Sequence, residues 1–288
     1  MSPEKQEVEL VHGMRGGVPS GRMEQIHLAL PYLLPLRDTL PILADPFAAP
    51  LVGIRRMRAR VRLSDGWHML NQARQALIEA EACTVFYEEI QSKHTESLYY
   101  CRYYLDDAAL RLYSSCEHIV QFVALHWNLS MTKRGPSVSA TPSSEESRDG
   151  SLVLVLKAAE QSKDRLVHTE VAKLLRALRS SRAWKACVKH RNDWVHSRIP
   201  ATSGLFPSIM FETVEYGKAF PSEILKLLGR KEGQKCERML FGEGSDISVL
   251  REAVRSAYSD LCEMYKGFAK LVAKENETTE NDEKEKVR

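Results

Sequence analysis

At 288 residues, with 43% hydrophobic and 27% charged content, the chain has the make-up of a globular protein that buries one generous core or two modest ones. A formal net charge of +3 points to no class of partner, so only the distribution of charge is informative. The six cysteines are scattered with no C-x-x-C pair, which favours reduced core thiols over a disulfide scaffold or zinc site, and no apolar run approaches the roughly 20 residues of a membrane span.

The first residues, Met1 to Arg22, carry Glu4, Glu7 and Glu9 and no compact apolar run, unlike a secretory signal, so a cytoplasmic location is expected. Residues 1 to about 23 read as a mobile lead-in, and five prolines between Pro31 and Pro50 rule out one continuous helix there. In Ile54-Arg-Arg-Met-Arg-Ala-Arg-Val-Arg-Leu63, arginines at 56, 58, 60 and 62 alternate with apolar residues. Ile54, Met57 and Val61 also fit a helical stripe, but the period of two favours a strand or extended linker with one cationic face. Residues 1–63 are therefore expected to form a partly irregular N-terminal extension.

Ser64-Asp65 then reads as the N-cap of a long helix to about Lys93, with Leu70, Ala73, Leu77 and Ala80 at helical spacing. A second helix starts near Thr95 or Ser97 and runs to about Leu129, with Leu105, Ala109, Leu112, Cys116, Ile119 and Val123 stepping by three and four. Together they predict an antiparallel hairpin. Residues 130–151 hold Gly135, Pro136, Pro142, seven serines and almost no large apolar side chain, the composition of a disordered insertion. Order returns at Leu152, and a helix is expected from about Thr169 to Lys189. After a connector from Pro200 to Pro207, a short helix is read from Ser222 to about Leu228, and Ser245-Asp246 caps a last long helix to about Ala273. The charged tail, 274–288, is expected to be disordered. The fold class is thus all-α, with residues 64–273 as the main helical domain.

The densest chemistry lies in Lys189-His-Arg-Asn-Asp-Trp-Val-His-Ser-Arg198. On a helix, Arg191 and His196 stand about 140° apart around the axis but only about 7.5 Å along it, so their long side chains can converge on one oxyanion. Three other Arg–His pairs have four to six residues between them, Arg22 to His27, Arg62 to His68 and Arg111 to His118, but Met23, Leu63 and Leu112 follow those arginines, whereas Asn192 follows Arg191. The neighbourhood is cationic: between Arg165 and Arg198 nine lysines and arginines face only Glu170 and Asp193, a local excess of seven positive charges. Arg182, Lys185, Lys189 and Arg198 are the candidate phosphate contacts. No Gly-rich phosphate loop, G-x-S-x-G elbow or H-E-x-x-H pair is present, which removes weight from nucleotide hydrolases, serine hydrolases and zinc proteases.

Arg191-Asn192-x-x-x-His196 resembles the R-x4-6-H signature of the HEPN superfamily, including its polar residue after the arginine. The stretch Tyr103-Tyr-Leu-Asp-Asp-Ala-Ala-Leu-Arg-Leu-Tyr-Ser-Ser-Cys-Glu-His-Ile-Val-Gln-Phe122 is similar to the first core helix of a HEPN subgroup with a long tyrosine-rich opening helix. The resemblance implies a helical bundle that dimerises so that two motifs face each other across a cleft and cut RNA without a metal or other cofactor. His196 would act as general base or acid at the ribose 2′-hydroxyl or the leaving 5′-oxygen. Arg191 would clamp the scissile phosphate, and Asn192 would orient substrate or partner.

Glu117, Arg111, Asp107 and His190 are the supporting candidates, although an ordinary ion pair between Asp107 and Arg111 and a surface role for His190 compete with that use. The expected function is a metal-independent endoribonuclease, such as a toxin or defence effector. The alternative is a non-catalytic HEPN module that binds RNA or docks a regulatory partner such as an antitoxin. A nucleotidyltransferase modifying the tyrosine-rich helix is a third expectation; Tyr99, Tyr100, Tyr103 and Tyr104 are also candidates for core packing, a dimer interface or base stacking.

Overall fold

The computed structural model describes residues 17–30, 32–33, 54–129, 150–196, 208–215, 235–242 and 246–286; in both strands, over 276–286 and at Ile54, Arg56 and His196 it describes the backbone alone. The elements are α1 (Ser20–Ala29), α2 (Ile54–Cys83), α3 (His94–His126), α4 (Gly150–Glu160), α5 (Ala172–Ser180), α6 (Arg182–His196), β1 (Ser208–Glu215), β2 (Lys235–Gly242) and α7 (Ile247–Lys286). Short π-helical turns, Thr84–Ile90 and Val167–Val171, widen the end of α2 and the entry to α5.

The protein is mostly helical, and its centre is the pair α2 and α3. Contacts fall along α2 as they rise along α3: Arg62 meets His118, Gly66 meets Ser115 and Gln72 meets Arg111, the mark of an antiparallel hairpin. The seam is close. Ser115 Oγ donates to the Gly66 carbonyl at 2.7 Å, and a Cβ at position 66 would lie 2.8 Å from Ile119 Cγ1. Glycine is required there by proximity. Leu70, Leu77, Leu105, Leu112 and Ile119 are fully buried between the two helices and the elements that cover them.

Three expectations need correction. The arginine-rich stretch is helical, not extended: Ala59 and Leu63 are buried and continue the stripe of Leu70, Ala73 and Leu77 back by whole turns, while Arg55 and Arg58 stay exposed. The stripe decides because it is the part of the pattern that buries area. Ser64-Asp65 consequently lies within α2 rather than capping it, and Asp65 sits 3.7 Å from Arg62 and 3.9 Å from His118 instead.

The single helix expected from Thr169 to Lys189 is two helices divided at Ser181. The Ser181 backbone is extended, its hydroxyl accepts from Trp184 N at 3.1 Å and donates to Asp260 of α7 at 2.5 Å. A serine that caps the next helix competes successfully with continuation of the previous one.

The last helix runs on to Lys286, through most of the tail expected to be disordered. Adding residues to an existing helix avoids the cost of nucleation, and Glu275 is held at 2.9 Å by His126 Nε2 and at 2.8 Å by Trp127 Nε1 at the end of α3. At its start, Asp246 accepts from Ser248 N at 2.8 Å as an N-cap, a bond that lowers its carboxyl pKa.

The N-terminal segment joins the same core. Leu30 and Leu33 are buried in it, Arg74 Nε donates to the Leu30 carbonyl at 2.7 Å, and Arg22 pairs with both carboxylate oxygens of Glu89 at 2.6 and 2.7 Å. The helical bundle also carries an addition not expected from the sequence, an antiparallel ladder of β1 and β2 in register from Ser208 opposite Gly242 to Glu215 opposite Lys235. The Pro-rich stretch 34–50, the serine-rich stretch 130–149, the 200–207 connector and the 222–228 helix lie outside the described residues. Among the described residues, no helix is long and apolar enough to cross a membrane.

Candidate functional site

The motif from Arg191 to His196 is helical throughout and ends α6, which packs against α3 and α7. The first half of α6 is anchored by apolar burial: Trp184, Cys187 and Val188 are almost wholly covered. Burial pushes the Cys187 thiol up to about 12, making it an inert core group. In the second half the apolar side chains emerge, with Trp194 36% and Val195 43% exposed.

Polar contacts with α3 take over there. His190 Nε2 lies 2.6 Å from Asp106 Oδ1, which also accepts from Arg102 Nε at 2.8 Å. The carboxylate can only accept, so the Nε2 of His190 carries the proton of that bond. All three side chains are nearly buried, at 10% exposure for His190, 13% for Asp106 and 5% for Arg102. One residue on, the Arg191 guanidinium lies over the Tyr113 ring, 4.2 Å from its centroid, and donates from Nη1 to Asn192 Oδ1 at 2.9 Å. The ring face attracts the cation while leaving its in-plane N–H groups for other acceptors.

The remaining candidates separate. On α3, Arg102, Asp106, Tyr113 and Glu117 fall within about 60° of one another around the helix axis, on the side that meets α6 and α4. Glu117 is engaged there by Ser151 of α4, whose hydroxyl donates to it at 2.8 Å. Asp107 and Arg111 lie about a quarter-turn further round. They form the i,i+4 ion pair at 2.8 Å, and Arg111 also bonds Gln72 of α2, so this pair belongs to the hairpin seam. Arg182, Lys185 and Lys189 are exposed on the solvent side of α6, with Lys189 reaching Asp193 at 2.8 Å. His196 is the terminal residue of α6, and Arg198 lies outside the described residues.

Sequence reasoning singled out His190, Arg191 and Asn192 but missed Asp106 and Tyr113, which His190 and Arg191 touch, and Arg102, which pairs with Asp106. The available signal was their spacing: four and seven residues apart, they line one face of α3 together with Glu117. The tyrosine cluster divides by depth. Tyr100 stacks on Tyr87 with ring centroids 5.1 Å apart, whereas Tyr99 and Tyr103 point to solvent at 53% and 58% exposure. Among the described residues, no group of three or more His, Cys, Asp or Glu is placed to hold a metal ion.

Compared with models of known families, with curated proteins and with solved structures, the chain matches none.

Proposed function

We propose that this chain is a metal-independent endoribonuclease of the HEPN type, acting on cytoplasmic RNA as a homodimer in the manner of a toxin or defence effector. The observation that carries the reading is that one helix holds Arg191 against Tyr113 of α3, with Asn192 next to it, and ends at His196, while Arg182, Lys185 and Lys189 are exposed on its solvent side. A ribose 2′-hydroxyl loses its proton to the imidazole of His196 and attacks the adjacent phosphorus; the P–O5′ bond breaks and the leaving oxygen takes a proton from the imidazolium so formed. The products are a 2′,3′-cyclic phosphate and a 5′-hydroxyl. Arg191, kept in place by the Tyr113 ring, turns its Nη groups from Asn192 to the phosphate and offsets the charge that builds on it.

The test is incubation of the purified full chain with a mixed-sequence RNA in the presence and absence of EDTA. Cleavage that EDTA leaves untouched, cyclic-phosphate ends, and a loss of about 100-fold or more in Arg191→Ala and His196→Ala with unchanged melting support the reading. Undiminished cleavage by the double variant overturns it. A second reading is favoured by the engagement of Arg191 with Tyr113 and Asn192: a non-catalytic module whose cationic side binds RNA or docks a protein such as an antitoxin. It is distinguished by retained RNA binding with no cyclic-phosphate product.

A further inference from the structure

The two halves of α6 are held by different forces, and the boundary falls just before the motif. Trp184, Cys187 and Val188 fix the first half by burial, and Ser181 tethers its start to Asp260. Beyond Val188 the apolar side chains Trp194 and Val195 are only partly covered, in contrast to the near-complete burial of the first half. The described contacts of the second half include the pairs Lys189–Asp193 and His190–Asp106, the Arg191–Asn192 bond and the guanidinium of Arg191 over the Tyr113 ring, and of the two pairs His190–Asp106 is by far the more shielded. Successive residues on a helix are rotated by about 100°, so anchoring His190 sets the direction in which Arg191 and Asn192 leave the backbone.

We infer that Asp106, backed by Arg102, is the positioning residue of the motif: through His190 it locks the rotation and register of the second half of α6, and so places Arg191 over Tyr113. Asp106 acts through its neighbour, His190. Arg102 keeps the carboxylate balanced by a permanent charge, which makes it a fixed acceptor for the His190 N–H inside a contact that water hardly reaches. Asp106 thereby does for the motif what an outer carboxylate does for a functional histidine, except that the oriented group is a helix segment.

For activity this inference rests on the ribonuclease reading; for structure it does not, and the experiment separates the two. Amide hydrogen exchange is followed by mass spectrometry on the full chain, comparing wild type with His190→Ala, Asp106→Ala and His190→Gln. His190→Ala keeps the Arg102–Asp106 pair and is the variant that folds most safely. Expected is exchange about 10-fold faster across 189–196, with residues 182–188 and the core of α3 as protected as in wild type, and partial recovery in His190→Gln, whose amide N–H reaches for the same carboxylate.

In a wild type that cuts RNA, His190→Ala is further expected to lower kcat about 10-fold or more while KM changes by less than about 2-fold. Unchanged exchange across 189–196, or equal loosening of both halves of α6, overturns the inference whether or not RNA is cut. A changed exchange with an unchanged kcat overturns the positioning role. A changed exchange in a protein that cuts no RNA supports the structural lock and overturns the ribonuclease reading alone.

Discussion

The α2–α3 seam and the α3–α6 contact use the same helix, α3, in two ways. On the first side, Gly66 lets the backbones approach, and Leu70, Leu105, Leu112 and Ile119 fill the space between. On the second, Asp106 and Tyr113 receive His190 and the guanidinium of Arg191. The apolar side has no directional requirement beyond shape, so it contributes stability in proportion to buried area. The polar side contributes less net energy, because each group has given up water, but its few bonds tolerate only one geometry. A stable hairpin on one face and an oriented segment on the other is what a scaffold for a charged site requires.

The sharpest break of this contrast is Leu112→Ala. The side chain is fully buried in the seam, so its truncation should cost about 4 kcal/mol, read as a lower denaturant midpoint with an unchanged slope. Asp106→Ala is expected to cost about 3 kcal/mol, since it leaves Arg102 and His190 shielded from water without their carboxylate. The two losses differ in what restores them. Replacing the whole cluster, as Arg102→Met, Asp106→Leu and His190→Leu together, should recover most of the unfolding free energy. It should leave residues 189–196 as fast in amide exchange as in His190→Ala. Recovery of both would mean that the polar contact has no special geometric part.

Below these stands Ser181→Ala, which removes the cap of α6 and its tie to Asp260. About 1 kcal/mol is expected, measured by chemical unfolding. A helix that instead fused with α5 would show no loss.

The same contrast explains what could be read from the residues. The apolar side of α3 was legible because Leu105, Ala109, Leu112, Cys116 and Ile119 recur at the helical period, and a buried stripe must recur where the helix meets its neighbours. The arginine run before α2 misled because its strict alternation is louder than the quiet stripe of Ala59 and Leu63, although only the stripe is buried. Ser181 was passed over because the apolar spacing on either side hides a cap whose evidence is a hydrogen bond to a residue 79 positions away. The motif stood out by residue type alone. Asp106 and Tyr113 did not, because on α3 they look like any surface acid and aromatic until α6 crosses them. Directional contacts between distant segments have no period, and a single sequence offers no other handle on them.

The smallest expected effect on stability is the most telling for the proposed function. Lys189 is mostly exposed, and its pair with Asp193 is a surface one, so Lys189→Ala should change unfolding free energy by less than about 0.5 kcal/mol. If the solvent side of α6 meets an RNA backbone, the same substitution weakens binding of every RNA sequence alike and lowers the slope of log K against log salt by about 1. His190→Ala should do the reverse, leaving the salt slope intact while freeing the motif to move. Salt-dependent binding of both variants by fluorescence anisotropy, beside their unfolding curves, sets attraction against orientation. Equal effects on both quantities in both variants would show that the two faces of α6 are not distinct in function.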